Sequence, residues 1–221
     1  MALDNDYFRH GRQEMLPFIP ARRGRVLEIG CGEGGFSGSL PGVDEVWGIE
    51  PSASATVATK RLTRVFQATF DDASAELPLA YFDLVICNDV IEHMARPHDF
   101  LSRIAQYIAP GGMLVGSIPN VRYYENMFQY LFEKDWHYRD SGILDRTHLA
   151  FFTEKSLYKT LIRHRFKVLR LQGINGERGA DITRRGWVYR IAAYVLIVAT
   201  FGYFSDIRYL QFAFQVTPNA E

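Results

Sequence analysis

The chain has 221 residues and only two cysteines, Cys31 and Cys87. Two thiols cannot frame a disulfide scaffold. Both fall in strand or loop positions expected to be buried, which suits a reducing, cytoplasmic setting. Net charge is also missing: 25 basic residues balance 25 acidic ones. No general field draws this chain to nucleic acid, and none is expected as a partner. The N-terminal stretch MALDNDYFRHGRQ is polar and mixed in charge, without the pattern of a signal peptide. The longest apolar run without a charge, Ile191–Ser205, is shorter than the roughly 20 residues a membrane span needs. It is expected to be a buried helix or an oligomer contact. Because Arg178, Arg184, Arg185 and Arg190 precede it, a peripheral membrane contact at the inner face, or a homodimer through 187–205, is the other option. Internal repeats and low-complexity tracts are absent. What remains is an ordinary composition, 48% hydrophobic and 23% charged, consistent with a single domain spanning 1–221.

Short apolar runs alternate with helix-like segments. Strands are expected at Arg25–Ile29, Glu45–Glu50, Arg64–Thr69, Phe82–Cys87, Met113–Ser117, Lys167–Leu171 and Leu210–Val216. Helices are expected at Ala53–Leu62, at Pro97–Ile108 with a stop at Pro110-Gly111-Gly112, and at Glu154–His164 capped by Thr153. The alternation predicts an α/β fold: a mostly parallel, Rossmann-like sheet with helices on both faces. Two long insertions, 119–150 after the fifth strand and 173–207 after the sixth, leave from the carboxyl edge where ligands bind in such sheets.

The run Val26–Ser37, VLEIGCGEGGFS, feeds a buried strand into a glycine cluster. Such a loop brings backbone close to a nucleotide-like ligand, because a Cβ would block the approach. Glu50, at the end of the second strand, could accept ribose hydroxyls, or it could simply cap the turn after Pro51-Ser52. The choice of ligand turns on charge. Pro41-Gly42 leaves little helix after the glycines to face a pyrophosphate, and Glu28 would repel one. Glu28 suits the ammonium group of a methionine moiety instead. An NAD-dependent sugar oxidoreductase is the disfavoured alternative.

Four blocks, VLEIGCGEG, WGIEPS, YFDLVICNDVIEHM and IAPGGMLVGSIPN, occur in the order found in class I S-adenosylmethionine-dependent methyltransferases, which the chain resembles over 26–172. The resemblance implies seven strands with the last antiparallel, S-adenosylmethionine as cofactor, and S-adenosylhomocysteine as product. It implies a donor site at Glu28, Gly30, Cys31, Gly32, Glu50, Pro51, Thr69, Phe70, Asn88 and Asp89, with Tyr7 and Arg12 closing over it. Thr69 stands where the family usually has an acidic residue; Asp71 or Asp72 could substitute. A fifth block, GILDRTHLAFFT, is similar to a subgroup associated with glycan, lipopolysaccharide and capsule biosynthesis.

Methyl transfer to a hydroxyl needs alignment and removal of a proton. His93 and His148 are the candidate bases, with Asp145 beside them in Asp145-Arg146-Thr147-His148. Asp89, Glu92, His93, Asp145 and His148 hold enough ligand atoms for magnesium, but their spacing matches no metal motif and no metal is expected. The first insertion interleaves aromatics with Arg122, Arg139 and Arg146, which fits a small-molecule or glycan acceptor such as a nucleotide-sugar or lipid-linked intermediate. O-methylation is the first expectation. N-methylation of an amino sugar and a non-catalytic S-adenosylmethionine-binding protein are the alternatives.

Overall fold

A computed structural model describes residues 12–21, 23–176 and 184–219. Tyr7 and Arg178 lie outside them. The apolar runs form one seven-stranded sheet in the order β3-β2-β1-β4-β5-β7-β6. In chain order the strands are β1 (Arg25–Ile29), β2 (Glu45–Ile49), β3 (Arg64–Phe66), β4 (Phe82–Asn88), β5 (Ile108–Pro119), β6 (Phe166–Ile174) and β7 (Gln211–Pro218). Strand β7 inserts between β5 and β6 and runs antiparallel to both; the pairings among β1 to β5 are parallel.

Period-two alternation divides the core between the two faces of the sheet. Leu27, Val85 and Cys87 pack on one face with α2 (Phe70–Ala73), α3 (Pro97–Ile104) and α5 (Glu154–Arg163). Val26, Leu84 and Ile86 pack on the other with Met15, Phe18, Phe36 and α1 (Ala55–Ala58). Strand β4 is buried along its whole apolar run, as a central strand covered on both sides must be.

Several boundaries move. The helix expected over Ala53–Leu62 closes only Ala55–Ala58 as α-helix. The third strand stops at Phe66, because Thr69 instead caps α2, its hydroxyl accepting the Asp72 N–H. The helix of Pro97 ends before Ile108, and Pro110-Gly111-Gly112 lies inside β5. There the register against β4 shifts from Phe82↔Ile108 to Leu84↔Met113, and Gly111 takes φ +78°. The three residues make a bulge in the strand rather than a helix stop. Thr153 does cap α5, in a reciprocal capping box with Ser156.

The two insertions share a third core. Tyr123, Tyr124 and Phe128, the last two on α4 (Tyr124–Phe128), bury against Ala193 of α6 (Arg184–Ala199) and Ile207. Here the expectation of a buried helix fails. Val188, Ile191, Val195 and Val198 of α6 are exposed, as are Phe201 and Tyr203 beyond it. From Ile191 onward the sequence is apolar all round this helix, but the fold covers one side only. Among the described residues, no helix is long and apolar enough to cross a membrane.

Candidate active site

The loops after β1, β2, β3 and β4 open on one cleft of about 560 Å³ at the carboxyl edge of the sheet. All ten residues expected to hold the donor line it: Glu28, Gly30, Cys31, Gly32, Glu50, Pro51, Thr69, Phe70, Asn88 and Asp89. Arg12 and His93 line it as well.

The glycine loop is held by its own backbone. Gly30 has φ +69°, and its N–H donates to the Ile49 carbonyl at 2.8 Å. A Cβ at Gly30 would come within 2.5 Å of Val90 Cγ2. Only glycine tolerates both the dihedral and the contact. The helical turn after the loop is just Ser37–Ser39. A pyrophosphate would find no helix N-terminus there, and two carboxylates nearby.

Those carboxylates differ in their surroundings. Glu50 accepts the Gly32 N–H at 2.9 Å with one oxygen and the Ser52 N–H at 2.9 Å with the other. It therefore makes the local turn contact that the sequence left open as an alternative. A carboxylate has about four acceptor positions, so capacity remains for a ribose diol. Glu28 is buried and accepts both the hydroxyl and the N–H of Ser37. Burial pushes its carboxyl up to about 7, against those hydrogen bonds and the Arg12 charge.

At the end of β4, the Asn88 side chain turns both its amide nitrogen and its oxygen toward buried space with no hydrogen-bond partner. Asp89 adopts the left-handed region, φ +52°. It is held there by Arg12, by the Ser117 hydroxyl at 2.7 Å and by the Gln211 amide at 2.6 Å. Such over-determination is what keeps a non-glycine residue in a sparsely populated conformation. The side chains fit S-adenosylmethionine: carboxylates for a cationic methionine end and a diol, an unpartnered amide beside them, and Phe70 and Phe100 as apolar wall.

Thr69 is a weaker adenine partner than a free side chain would be, since its hydroxyl also donates to Asp72 at 2.6 Å. Asp72 is thus occupied and stands off the cleft, whereas Asp71 lines it, paired with Arg103 and Arg96.

His93 and His148 come together although 55 residues separate them. Their rings meet edge to face at 4.6 Å. The link is main chain: the Glu92 carbonyl accepts the N–H groups of Leu149 and Ala150, stitching the end of the first insertion to the turn after β4. His93 reaches the cleft; His148 lies behind it, buried, and Asp145 lies further out. His93 is exposed at the cleft, and partial desolvation of its ring together with the neighbouring His148 lowers its pKa. Burial would raise the Asp145 carboxyl, but hydrogen bonds from Thr147 outweigh it and the net direction is down. Glu92 is 1% exposed, and burial, reinforced by the Asp89 charge, holds it well above the usual carboxylate range.

The insertion arginines are each engaged by a neighbouring side chain. Arg122 pairs with Asp206 at 2.6 Å, Arg146 with Asp140 at 3.0 Å, and Arg139 donates to Gln129 at 2.9 Å. Trp136 stays partly open, edge-on to Phe151 at 5.3 Å and to Tyr130 at 5.9 Å. Sequence reasoning missed Ser37, Ser117, Thr147 and Gln211. Ser37, the last residue of the glycine block, and Thr147, inside the Asp145–His148 block, were within reach; Ser117 and Gln211 act across the sheet.

A family model described as "Methyltransferase domain" matches residues 4–171. A ubiquinone biosynthesis O-methyltransferase of Burkholderia vietnamiensis is 32% identical over 115 residues, covering 49% of this chain and 48% of that protein. The matched segment thus spans between 35% and 48% of the length of the curated relatives it matches. A chain from the Haloferax volcanii complex of the Trm112 methyltransferase activator with a methyltransferase superposes with TM-score 0.65 at 17% identity, covering 97% of this chain and 92% of that one. A SAM-dependent methyltransferase from Archaeoglobus fulgidus gives 0.63 at 16% identity, covering 92% and 90%. With the matched segment reaching from the N-terminal region into β6, the chain belongs to the methyltransferase-domain family.

Proposed function

We propose that this chain transfers the methyl group of S-adenosylmethionine to a hydroxyl oxygen of a sugar or glycan intermediate, with the acceptor proton removed at the His93–His148 pair. The observation that carries this reading is that pair, with rings 4.6 Å apart where the donor cleft meets the aromatic insertion. The acceptor oxygen attacks the methyl carbon, the carbon–sulfur bond breaks, and its electron pair stays on sulfur to leave S-adenosylhomocysteine. Sulfonium is a good leaving group, so the protein's share is alignment and proton removal. In this reading Glu28 faces the methionine ammonium and Glu50 the ribose, as their positions on the cleft wall support.

The series His148, Phe151, Trp136 and Tyr130, each ring against the next, offers stacking surface for a ring-bearing acceptor. The relative named for O-methylation in ubiquinone biosynthesis supports oxygen as the acceptor atom. The test is homocysteine release across nucleotide-sugars and glycan extracts, with the product's methyl located by mass spectrometry. An O-methyl sugar supports the reading; an N-methyl product or a phenolic acceptor overturns its substrate half.

The outer stripe of α6, Val188, Ile191, Val195 and Val198 with Phe201 beyond, is proposed to rest on an anionic bilayer surface, which would bring a lipid-linked acceptor to the cleft. Its spacing of three and four residues puts the four valine and isoleucine side chains on one face.

A further inference from the structure

We propose that Glu92, His93 and His148 form a binding site for one divalent transition-metal ion beside the donor cleft. Their ligand atoms all lie within 4.8 Å of one another. A cluster of this kind needs a sign that it is built for a ligand, and Glu92 supplies one. Its side chain is 1% exposed, and neither carboxylate oxygen has a hydrogen-bond partner. A buried carboxyl group without a partner is costly, and a cation between it and two imidazoles removes that cost.

The imidazoles are also oriented as ligands. His148 Nδ1 stands 2.8 Å from the Ile143 carbonyl, which can only accept, so Nδ1 carries the proton and Nε2 the lone pair. His93 Nδ1 stands 3.0 Å from the Thr147 hydroxyl, whose own proton goes to Asp145 at 2.6 Å. The hydroxyl oxygen therefore accepts from His93, and His93 Nε2 is also left with its lone pair. A carbonyl on one histidine and a hydroxyl–carboxylate relay on the other are the outer contacts that orient metal-bound imidazoles. The site's backbone is fixed by the two N–H groups donated to the Glu92 carbonyl, at 2.7 Å from Leu149 and 3.0 Å from Ala150.

Two nitrogens and one oxygen suit zinc, manganese, cobalt or ferrous iron better than magnesium or calcium, which prefer all-oxygen shells. Three protein ligands leave a coordination position open, as in catalytic rather than structural sites. Asp89, engaged by Arg12, Ser117 and Gln211, is not a fourth ligand, and Asp145 acts through Thr147.

The inference deepens the proposed methyl transfer and rests on it only for the ion's purpose. An acceptor hydroxyl bound at the open position would lose its proton to water more readily, and its oxygen would then attack the methyl carbon as the carbon–sulfur bond breaks toward sulfur. The histidines would then hold the ion rather than take the proton.

The full chain, stripped with chelator, is titrated with Zn²⁺, Mn²⁺ and Mg²⁺ by calorimetry. The expected result is one Zn²⁺ or Mn²⁺ per chain, bound at least tenfold more tightly than Mg²⁺. Glu92→Gln and His148→Ala are each expected to weaken that binding by 100-fold or more, and Thr147→Val by roughly 10- to 100-fold. S-adenosylhomocysteine binding should persist in all three, reporting a folded protein. Absence of saturable binding, a preference for Mg²⁺, or variants that bind as wild type would overturn the site. Full turnover by the stripped enzyme, with loss only in the histidine variants, would reject the ion's role and leave methyl transfer at the histidines standing.

Discussion

The donor cleft and the insertion above it are built in different ways. The cleft is formed by residues at the ends of neighbouring parallel strands, so its parts are fixed by short loops: Gly30 after β1, Glu50 after β2, Asn88 ending β4. Its polar groups are braced by backbone, as with Glu50 on the Gly32 and Ser52 N–H groups. The insertion has no strand beneath it. It is held by a small shared core with α6 and by single long-range contacts, such as Arg122 with Asp206 and the Glu92 carbonyl with Leu149. A rigid half suits a constant donor, and a separately packed half suits an acceptor that differs from one relative to another.

Breaking each half should therefore give different kinetics. The largest effect is expected on the histidine side. His148→Ala should lower kcat by roughly 10²–10⁴-fold, the usual range for losing proton-transfer assistance, while S-adenosylhomocysteine affinity changes little. Single-turnover kinetics and calorimetry together would check this; a weakened donor affinity would mean that the two halves are not separable. Next comes Glu50→Ala, which removes a charged acceptor from two backbone N–H groups and from the proposed diol. At about 1.5–3 kcal/mol per bond to a charged group, donor affinity should fall about 100-fold or more. Equilibrium binding would show it, and an unchanged constant would relegate Glu50 to the turn alone.

Glu28 gives a smaller effect with a distinctive sign. Its folded pKa of about 7 lies above its ordinary value of 4.5, so the free folded protein holds this proton where the unfolded chain has lost it. That contribution to stability is full below about 4.5, declines as pH rises, and is gone above about 7. A cationic ligand favours the ionised form, so donor binding should release a proton near pH 6 and tighten as pH approaches 7. Calorimetry in buffers of different ionisation enthalpy would register the release, and Glu28→Gln should abolish it. A proton taken up on binding would contradict the assignment. The smallest effect belongs to the outer face of α6. Val195→Asp should leave thermal stability within about 0.5 kcal/mol, as expected at an exposed site, while reducing sedimentation with anionic vesicles. Undiminished vesicle binding, or a dimer that dissociates in the variant, would replace the bilayer with a protein partner.

The same division explains what the sequence disclosed. Strand β1 appears at Arg25–Ile29 as read, and the ten donor-site residues line one cleft, because each lies at or just beyond the carboxyl end of one of the parallel strands. Pro110-Gly111-Gly112 misled because a bulge inside β5 and a helix stop use the same residues. Thr69 looked like a strand end because the two-turn geometry of α2 and its following turn is too short to show a period. Gln211 could not be placed beside Asp89 without knowing that β7 returns antiparallel between β5 and β6, which sets Pro119 against Gln211. Which side of α6 the fold covers could not be read, because the run from Ile191 onward carries no charge to mark it. The meeting of His93 with His148 is of this long-range kind, since it depends on two main-chain hydrogen bonds to Glu92.

The most direct test is methyl transfer from trideuteromethyl S-adenosylmethionine to candidate sugar and glycan acceptors, with wild type compared against the His93→Ala/His148→Ala double variant. The account predicts a trideuteromethyl group on a sugar oxygen with the wild-type chain. It predicts loss of at least 100-fold of that turnover in the variant, at unchanged S-adenosylhomocysteine affinity. Equal turnover by both proteins would contradict it.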